Sequence, residues 1–283
     1  MNKQPLIHVG IVGNYPNYAD WITFPHDVTI ISSGFTDDVF EKLDLIIFAG
    51  GSDVSPALYQ ESKHITTSSD PERDVFESSV YKYARLYKIP IIGICRGAQF
   101  VTVMSGGKLF QHVENHGIQG THPLYLEGST EIISEITSTH HQMMCLDENI
   151  SYIPLLMSSR RSSFYCVNDK VTYTNLLTDQ EPEVIYYPRS EALAIQGHPE
   201  YMPKNSSITG LLNFYLSILF NLTFDFTTIS SIPKHLFAKY KLYIKNSVFP
   251  KILQDAQQRD TQFKISYKTI KVDTVPTAGD PIF

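Results

Sequence analysis

The chain has 283 residues, of which 42% are apolar and 18% charged, a composition typical of a globular protein that can bury a large core. Its formal net charge of −6 argues against a general nucleic-acid binder, and no apolar run reaches the roughly 18 residues of a membrane-spanning helix. The polar segment Met1–Pro5 is unlike a signal peptide, and the three cysteines show no metal-binding spacing. We therefore expect a cytoplasmic protein with no cofactor and with no nucleic-acid or membrane partner.

Strand and helix patterns alternate through the first hundred residues. Apolar runs at 6–12, 45–49 and 91–95 are typical of buried parallel strands, and helical sequence lies between them at Asp37–Leu43 and Pro71–Lys88. This alternation predicts an α/β fold with a doubly wound, mostly parallel central sheet flanked by helices, of the flavodoxin-like kind. In such a sheet the functional site lies at the carboxyl ends of the strands.

The segment Pro71–Lys88 has the clearest helical pattern. Asp70 is placed to cap it, and a proline suits its first position. Arg73 and Glu77 are four residues apart, which we interpret as an ion pair on the helix face, with a role in holding the site as the alternative. The inner face is predicted to hold Val75, Val80, Ala84 and Tyr87.

The pattern changes between residues 131 and 196, where short apolar runs alternate with turn residues. The predicted strands are Ile132–Ile133, Tyr152–Leu156, Phe164–Val167 and Val184–Tyr187. We expect them to form an antiparallel extension of the central sheet. A strongly apolar helix follows at Ser206–Phe220. Its predicted core-facing residues are Ile208, Leu211, Leu212, Tyr215, Leu216 and Leu219.

Residues 225–283 differ from the rest of the chain in charge. They hold nine Lys and Arg against five Asp, a formal charge of +4, so the residues before them carry −10. A helix is predicted at Pro233–Ala256 and a strand at Phe263–Val272, with a loose end at Pro276–Phe283. We predict a main domain at 1–224 and a basic C-terminal extension that is either a solvated helix packed on the domain or a docking surface for a partner.

A cysteine stands at a sharp turn between a predicted strand and a predicted helix. The sequence Gly93-Ile94-Cys95-Arg96-Gly97 ends an apolar run and precedes helical sequence at Ala98–Met104. Small residues are needed there because the turn forces its central residue into a strained backbone conformation. Cys95 then lies at a helix N-terminus, where the dipole stabilises a thiolate and free N–H groups can hold an oxyanion. We interpret Cys95 as a nucleophile, with a buried cysteine beside a tight turn as the alternative.

A base with an orienting partner follows another apolar strand. His198 and Glu200 come after the run Ala192–Gly197, and residues two apart in an extended segment point the same way. Glu200 can therefore accept a hydrogen bond from His198 and fix its tautomer. A third apolar run leads into Gly50-Gly51, whose backbone N–H groups can join that of Arg96 in an oxyanion hole.

Together these motifs resemble the class I (triad) glutamine amidotransferase family over about residues 6–220. Five motifs carry the resemblance and narrow it to the γ-glutamyl-γ-aminobutyrate hydrolase (C26 peptidase) branch: Gly50–Tyr59, Arg73–Glu77, Gly93–Gln99, His140–Gln142 and His198–Glu200. The resemblance implies a Cys-His-Glu triad acting on a γ-glutamyl amide, within a catalytic domain at 1–224. Cys95 is then the nucleophile, His198 the base and Glu200 its orienting partner.

The resemblance also implies where the substrate binds. The N–H groups of Gly51 and Arg96 would form the oxyanion hole. The predicted substrate-binding residues are Gln99, His140, His141 and Gln142. For the two adjacent histidines a structural role is the alternative. We predict no metal there, because adjacent histidines point to opposite sides of a strand.

The leading hypothesis is a cysteine hydrolase that cleaves a γ-glutamyl amide, either glutamine or a γ-glutamyl amine, through a thioester on Cys95. Its partners would be this small substrate and either a second copy of the chain or a separate synthetase subunit. One alternative is a glutaminase subunit that passes ammonia to a separate synthetase or amidoligase. Others are an α/β-hydrolase esterase with a cysteine nucleophile and a non-catalytic binding scaffold. A chain shortened to end near Thr223 is expected to keep its fold and its chemistry.

Overall fold

The computed structural model describes fourteen strands and three α-helices in the residues that it covers, which are 6–147, 149–168, 170–172, 179–220, 222, 238, 242–248, 250 and 251. The strands are β1 (Ile7–Val12), β2 (His26–Ile31), β3 (Leu45–Phe48), β4 (Ile91–Ile94), β5 (Lys108–Phe110), β6 (His112–Val113), β7 (Gly117–Tyr125), β8 (Ile132–Thr139), β9 (Met143–Cys145), β10 (Ile153–Ser159), β11 (Tyr165–Val167), β12 (Lys170–Thr172), β13 (Gln180–Tyr187) and β14 (Ala192–Ile195). The helices are α1 (Pro71–Tyr87), α2 (Arg96–Met104) and α3 (Ser207–Phe220). Short 3-10 turns lie at Pro16–Ala19, Asp37–Lys42, Pro56–Tyr59, Pro188–Ser190 and Pro199–Tyr201.

Nine of these strands form one sheet in the order β2-β1-β3-β4-β14-β13-β10-β7-β8. The five strands from β2 to β14 in this order are parallel, and the remaining four continue the sheet through antiparallel pairs. The predicted doubly wound sheet with an antiparallel extension is confirmed. Because β3, β4 and β14 are adjacent and parallel, the segments that follow them meet at one edge of the sheet.

Both faces of the parallel sheet are buried, as expected when helices cover each side. Leu45 and Ile47 belong to the core on the side of α3, whereas Ile46 and Phe48 belong to the core on the side of α1 and α2. The predicted inner face of α3 is confirmed, since its residues Ile208, Leu211, Leu212, Tyr215 and Leu216 are buried and Leu219 packs against them. None of the helices in the described part of the chain is long and apolar enough to cross a bilayer.

The inner face of α1 differs from the prediction at one residue, since Val80 and Ala84 are buried and Tyr87 packs against the core as expected. The cap is confirmed, because the Asp70 carboxylate accepts a hydrogen bond from the backbone N–H of Arg73 at 3.1 Å. Val75, however, was expected inside and is 70% exposed, while Asp74 and Glu77 are buried. Charged residues occupy this inner face because they pair with a buried arginine, and an apolar periodicity cannot indicate such a face.

Two strands of the sheet have no clear signal in the sequence. β2 is an edge strand with mostly exposed or half-buried residues, so it lacks the apolar run of a central strand. β7 contains Gly120 and Pro123, which weaken a strand pattern. The antiparallel extension therefore begins at residue 117 rather than at 131, and the predicted Ile132–Ile133 strand continues to Thr139. The predicted strand at Phe164–Val167 forms as β11 but does not join the extension, because it pairs with β12 and β6 in a separate sheet.

The described part of the C-terminal extension is packed on the main domain. Ile244 and Val248 are buried in the core beneath α3, within a helical turn at Ile244–Val248. The Tyr243 hydroxyl donates a hydrogen bond to the carbonyl of Pro154 at 2.6 Å. Most of the predicted helix at Pro233–Ala256, and all of the strand at Phe263–Val272 and the end at Pro276–Phe283, lie outside the described residues. The boundary after residue 224 stays a prediction.

Candidate active site

Cys95 lies between the last residue of β4 and the first of α2, in a backbone conformation with φ 55° and ψ −111°. This left-handed region is strained for a residue with a side chain. The flanking glycines have a steric cause: a Cβ on Gly93 would overlap the carbonyl of Gly97, and a Cβ on Gly97 would overlap the carbonyl of Phe48. The turn can therefore lie against β3 only when both positions are glycine.

The turn presents Cys95 at the start of α2. Its N–H donates to the carbonyl of Ile195 at 2.8 Å, and its carbonyl accepts from the N–H of Gln99 at 3.2 Å. The side chain is 8% exposed, so a small reactant can reach it while most water is excluded. The first N–H groups of a helix have no intrahelical acceptor, and those of α2 are available to a negatively charged oxygen beside Cys95.

His198 and Glu200 follow the adjacent strand β14. The Nδ1 atom of His198 is 2.7 Å from Oε1 of Glu200, and this hydrogen bond fixes the ring orientation. Burial acts to lower the pKa of His198, but hydrogen bonds with Cys95 and Glu200 outweigh it and raise this pKa to about 10. The contacts with Cys95 and Glu200 thus stabilise the protonated form of the His198 ring.

The Gly50-Gly51 segment after β3 borders the same space. A Cβ on Gly50 would lie 2.9 Å from the Tyr18 hydroxyl, 3.4 Å from Cε1 of His198 and 3.6 Å from Cβ of Cys95. Gly51 has φ +140°, and a Cβ there would overlap the guanidinium of Arg73. Close approach to both Cys95 and His198 and to the half-buried Arg73 explains why two glycines stand here.

A buried ion-pair network lies beneath this loop. The Arg96 guanidinium, 1% exposed, pairs with the carboxylates of Asp74 and Glu77, and its Nε donates to the carbonyl of Ser52 at 3.1 Å. The Asp74 carboxylate also accepts from the N–H of Ser55 at 2.9 Å. The network thus ties α1 and α2 to the loop that follows β3. Removing one member of such a buried pair costs about 3–5 kcal/mol, because a charge is left without its partner.

Arg73 connects the same network to the glycine loop. Its Nε donates to Glu77 at 2.7 Å, and one terminal nitrogen donates to the carbonyls of Ala49 at 3.0 Å and Gly50 at 3.1 Å. Because these carbonyls point toward Arg73, the N–H groups of the glycine loop point away from it. Of the two interpretations of Arg73 and Glu77 that the sequence leaves open, this geometry favours the role in holding the site.

The predicted substrate-binding residues line one pocket beside Cys95, with a volume of about 200 Å³. Its lining residues are Gly51, Ser52, Asp53, Ser68, Cys95, Arg96, Gln99, Thr139, His140, His141 and Gln142. The side chain of Gln99 and Nδ1 of His140 both bond the carbonyl of Gln142, each at 2.8 Å. His141 instead turns outward and pairs with Asp53 at 3.1 Å. Gln99 and His140 therefore hold the pocket wall together as well as lining it.

Two tyrosines at the site are not among the site residues predicted from the sequence. The ring of Tyr201 stacks on that of His198, with centroids 5.2 Å apart. The Tyr18 hydroxyl lies beside Gly50, and burial, with Glu200 and Cys95 nearby, raises its pKa to about 12. Tyr201 directly follows the His-Pro-Glu motif and could have been suspected. Tyr18 comes from the segment after β1, which carries no motif.

Comparisons with known proteins place the chain among glutamine amidotransferase-like sequences. A model of the family described as Peptidase C26 matches residues 28–200. The glutamine amidotransferase-like protein YvdE of Lactococcus lactis subsp. lactis is 31% identical over 182 residues, which cover 62% of this chain and 75% of that protein. The γ-glutamyl-γ-aminobutyrate hydrolase PuuD of Escherichia coli K12 is 35% identical over 89 residues, covering 31% of this chain and 34% of that protein.

Among solved structures, the glutaminase domain of Trypanosoma brucei CTPS with bound acivicin is similar with a TM-score of 0.48 and 12% identity. The similarity covers 77% of this chain and 96% of that one. A glutamine amidotransferase from Thermotoga maritima is similar with a TM-score of 0.45 and 12% identity, covering 89% of this chain and 98% of that one.

Proposed function

This chain belongs to the peptidase C26 family of hydrolase-type enzymes, and we propose that it hydrolyses a γ-glutamyl amide through a thioester on Cys95. The observation that carries the proposal is the strained turn that holds Cys95 at the start of α2, hydrogen-bonded with His198. The bond between His198 and Glu200 at 2.7 Å supports it, because a base must be oriented to act. A binding scaffold has no need of this arrangement.

In the first step the sulfur of Cys95 attacks the carbonyl carbon of the γ-glutamyl amide. The carbonyl oxygen becomes an oxyanion, which the backbone N–H groups of Gly51 and Arg96 stabilise. The imidazolium of His198 then gives its proton to the amide nitrogen, the C–N bond breaks and the amine leaves. Glu200 keeps the proton-bearing nitrogen directed toward the reacting atoms throughout this step.

In the second step water attacks the carbonyl carbon of the thioester. His198, now neutral, takes a proton from the water as the new C–O bond forms. The C–S bond breaks, the thiolate of Cys95 is restored beside the imidazolium, and glutamate leaves. Proton and charge balance are recovered without any group outside the site.

The leaving amine is proposed to be larger than ammonia. The proposal is supported by the sequence similarity to the γ-glutamyl-γ-aminobutyrate hydrolase, which extends over 31% of this chain, and by a pocket of about 200 Å³ beside Cys95. With glutamine the same chemistry would release ammonia, which is the half-reaction of an ammonia donor. Similarity to the glutamine amidotransferase-like protein YvdE supports the ammonia donor as a second candidate function.

A panel of amides tests the proposal. Purified full-length protein is incubated with glutamine, γ-glutamyl-γ-aminobutyrate, other γ-glutamyl amines and an α-glutamyl amide, and free glutamate is measured. We expect turnover of one or more γ-glutamyl amines that exceeds turnover of glutamine, none of the α-glutamyl amide, and none by Cys95→Ala. Faster turnover of glutamine would favour the ammonia donor, and glutamate release by Cys95→Ala would contradict the proposal.

A further inference from the structure

A cluster of buried histidines and glutamates lies on the antiparallel extension, outside the triad. His116 directly precedes β7, His122 lies within β7, His140 follows β8 and Glu183 lies within β13. All four side chains are buried, with exposed fractions of 0%, 1%, 5% and 0% in that order. Of these residues the proposed mechanism uses only His140, as part of the pocket wall.

Three of these residues place atoms that can bind a metal ion close to one another. A ring nitrogen of His116, a ring nitrogen of His140 and a carboxylate oxygen of Glu183 lie within 4.8 Å of one another. Nδ1 of His116, Nε2 of His140 and both carboxylate oxygens of Glu183 are buried and accept or donate no hydrogen bond within the described part of the chain. Leaving so many buried polar atoms unpaired costs about 1–3 kcal/mol for each group, so a shared partner is expected.

The opposite nitrogens of both histidines are already bonded. Nε2 of His116 is 2.9 Å from a carboxylate oxygen of Glu181, and Nδ1 of His140 is 2.8 Å from the carbonyl of Gln142. Each acceptor holds the ring proton on its own side, so the lone pair of the other nitrogen points toward Glu183. Metal-binding histidines are oriented in this way, by a carboxylate or a backbone carbonyl behind the ring.

Glu181 is itself held firmly enough to act as such an outer partner. It accepts hydrogen bonds from three groups: the N–H of Arg161 at 2.9 Å, the N–H of Ser162 at 3.0 Å and the hydroxyl of Tyr165 at 2.7 Å. A carboxylate held in this way behind His116 makes this imidazole a stronger ligand.

Direct pairing between His116 and Glu183 does not satisfy either side chain. Nδ1 of His116 is 3.9 Å from Oε1 of Glu183, which is too long for a hydrogen bond. Nε2 of His122 lies 3.3 Å from the same oxygen, but neither atom makes a hydrogen bond within the described part of the chain.

We propose that His116, His140 and Glu183 bind a divalent transition-metal ion, and that this ion is zinc. Two imidazoles and one carboxylate are a known ligand set for zinc, and ligands about 2.0–2.1 Å from a tetrahedral ion lie about 3.4 Å apart. The 3.9 Å separation of His116 and Glu183 is close to that value. His122 lies against this carboxylate, with its Nε2 3.3 Å from Oε1 of Glu183.

The proposed ion has a positioning role, because it holds the side chain of His140 in place. His140 is bound on one side by the ion and on the other by the Gln142 carbonyl, which also accepts from Gln99 at 2.8 Å. Fixing His140 therefore fixes the wall of the pocket beside Cys95. The sequence predicts no metal because only His140 and His141 stand together in it. The proposed ligands come from three distant segments, and His141 turns away to Asp53.

The test measures metal directly, so its result is independent of the proposed hydrolase activity. Full-length Cys95→Ala protein is used, because a thiolate beside His198 could bind zinc. It is purified without a metal-affinity step, stripped with a chelator and titrated with Zn²⁺ against a coloured competitor, with Mg²⁺ as the comparison. We expect one Zn²⁺ per chain and no response to Mg²⁺. Co²⁺ in its place should give the absorption of a nitrogen and oxygen site, without a thiolate charge-transfer band.

Substitutions then locate the site. Glu183→Gln and His140→Ala should each weaken Zn²⁺ binding by more than about 100-fold, and His122→Asn, which removes the ring that lies against Glu183, by about 10–100-fold. His141→Asn is the matched control, since it removes the adjacent histidine and should leave Zn²⁺ affinity unchanged. Folded Cys95→Ala protein that binds no Zn²⁺ overturns the proposal whatever the variants do. So does binding that His141→Asn abolishes and Glu183→Gln does not.

Discussion

His198 is the residue whose charge decides how the site works. Burial by itself would keep this imidazole neutral, yet its hydrogen bonds with Cys95 and Glu200 raise its pKa to about 10. In the proposed mechanism, this is the proton that the leaving amine needs, and it is held directly beside Cys95. Cys95 and His198 interact strongly. The pKa values obtained from the pH dependence of the reaction therefore belong to the pair and not to either residue alone.

Glu200→Gln should move the alkaline limb of the pH profile to lower pH. Glutamine keeps a hydrogen bond to the ring but removes the negative charge that stabilises the imidazolium, so the pKa of His198 falls. The protonated form is then lost at a lower pH, and kcat/KM measured against pH should decline earlier than in the wild type. Neutral-pH activity should fall less than in His198→Ala. An unmoved alkaline limb would mean that another group supplies the proton.

Arg73→Lys tests whether the buried network positions the glycine loop. Lysine cannot bond Glu77 and the carbonyls of Ala49 and Gly50 together, so the loop should shift. We expect kcat to fall about 10- to 100-fold with a smaller change in KM, because the misplaced N–H groups act mainly on the transition state.

Arg85→Lys is the matched control for this substitution. Arg85 is also on α1 and also donates to two backbone carbonyls, those of Arg189 at 2.7 Å and Ser190 at 2.6 Å, but these lie outside the site. Its kinetics should stay near those of the wild type. Equal losses in both variants would assign the effect to α1 stability instead of to loop position.

Candidate residues with a local sequence pattern could be proposed from the sequence. Glycine spacing indicated Cys95, and a two-residue offset after an apolar strand indicated His198 and Glu200, whose predicted contact the structure shows. The position of Glu77 between two arginines could not be predicted in this way, because its second partner Arg96 is about twenty residues further on and only the fold brings it close. The same pairing explains why Val75 is outside and Asp74 inside.

At the scale of elements, the site depends on how closely α2 approaches β3. The first turn of α2 lies against the carbonyl of Phe48, with Gly97 at the point of contact. Parallel strands and amphipathic helices were predictable because their patterns are local and strong. β2 and β7 were not, because an edge strand and a strand containing glycine and proline lack such a pattern.

Gly97→Ala should therefore destabilise the protein and impair the site together. The new methyl group would overlap backbone, which cannot move aside as a side chain can, and overpacking of this kind typically costs about 1–3 kcal/mol. Denaturant unfolding followed by circular dichroism measures this loss. Gly117→Ala is the control, since a Cβ there meets no atom within 4 Å, and its effect should be within about 0.5 kcal/mol. Similar stabilities for the two variants would contradict the steric account of the turn.

At the scale of the whole molecule, the basic extension is part of the main core where the structure describes it. Ile244 is 3% exposed and Val248 is fully buried beneath α3, and Lys251 is 3.6 Å from Glu127. The change from a negatively charged main domain to a positively charged extension indicated that the extension could be removed. Charge alone, however, does not show which apolar residues of the extension are buried. This packing favours loss of folding when the chain is shortened to Thr223, in place of the sequence-based expectation that the fold is kept.

Ile244→Ala should lower the free energy of unfolding by about 2–5 kcal/mol, as expected for removal of a buried isoleucine side chain from a packed core. Leu242→Ala is the control two residues away, with a side chain that is 58% exposed, and should change stability by less than about 0.5 kcal/mol. Both values come from urea titrations of the full chain. A negligible effect of Ile244→Ala would restore the view that the extension is independent of the domain.

The proposed reaction passes through a γ-glutamyl thioester on Cys95. The most direct measurement is intact-protein mass spectrometry after rapid acid quenching of the enzyme with its best γ-glutamyl amide, followed by peptide mapping. We predict a transient mass increase of one γ-glutamyl group on the peptide that contains Cys95, absent in Cys95→Ala. Steady turnover with no adduct on that peptide, and equal turnover by Cys95→Ala, would contradict the account.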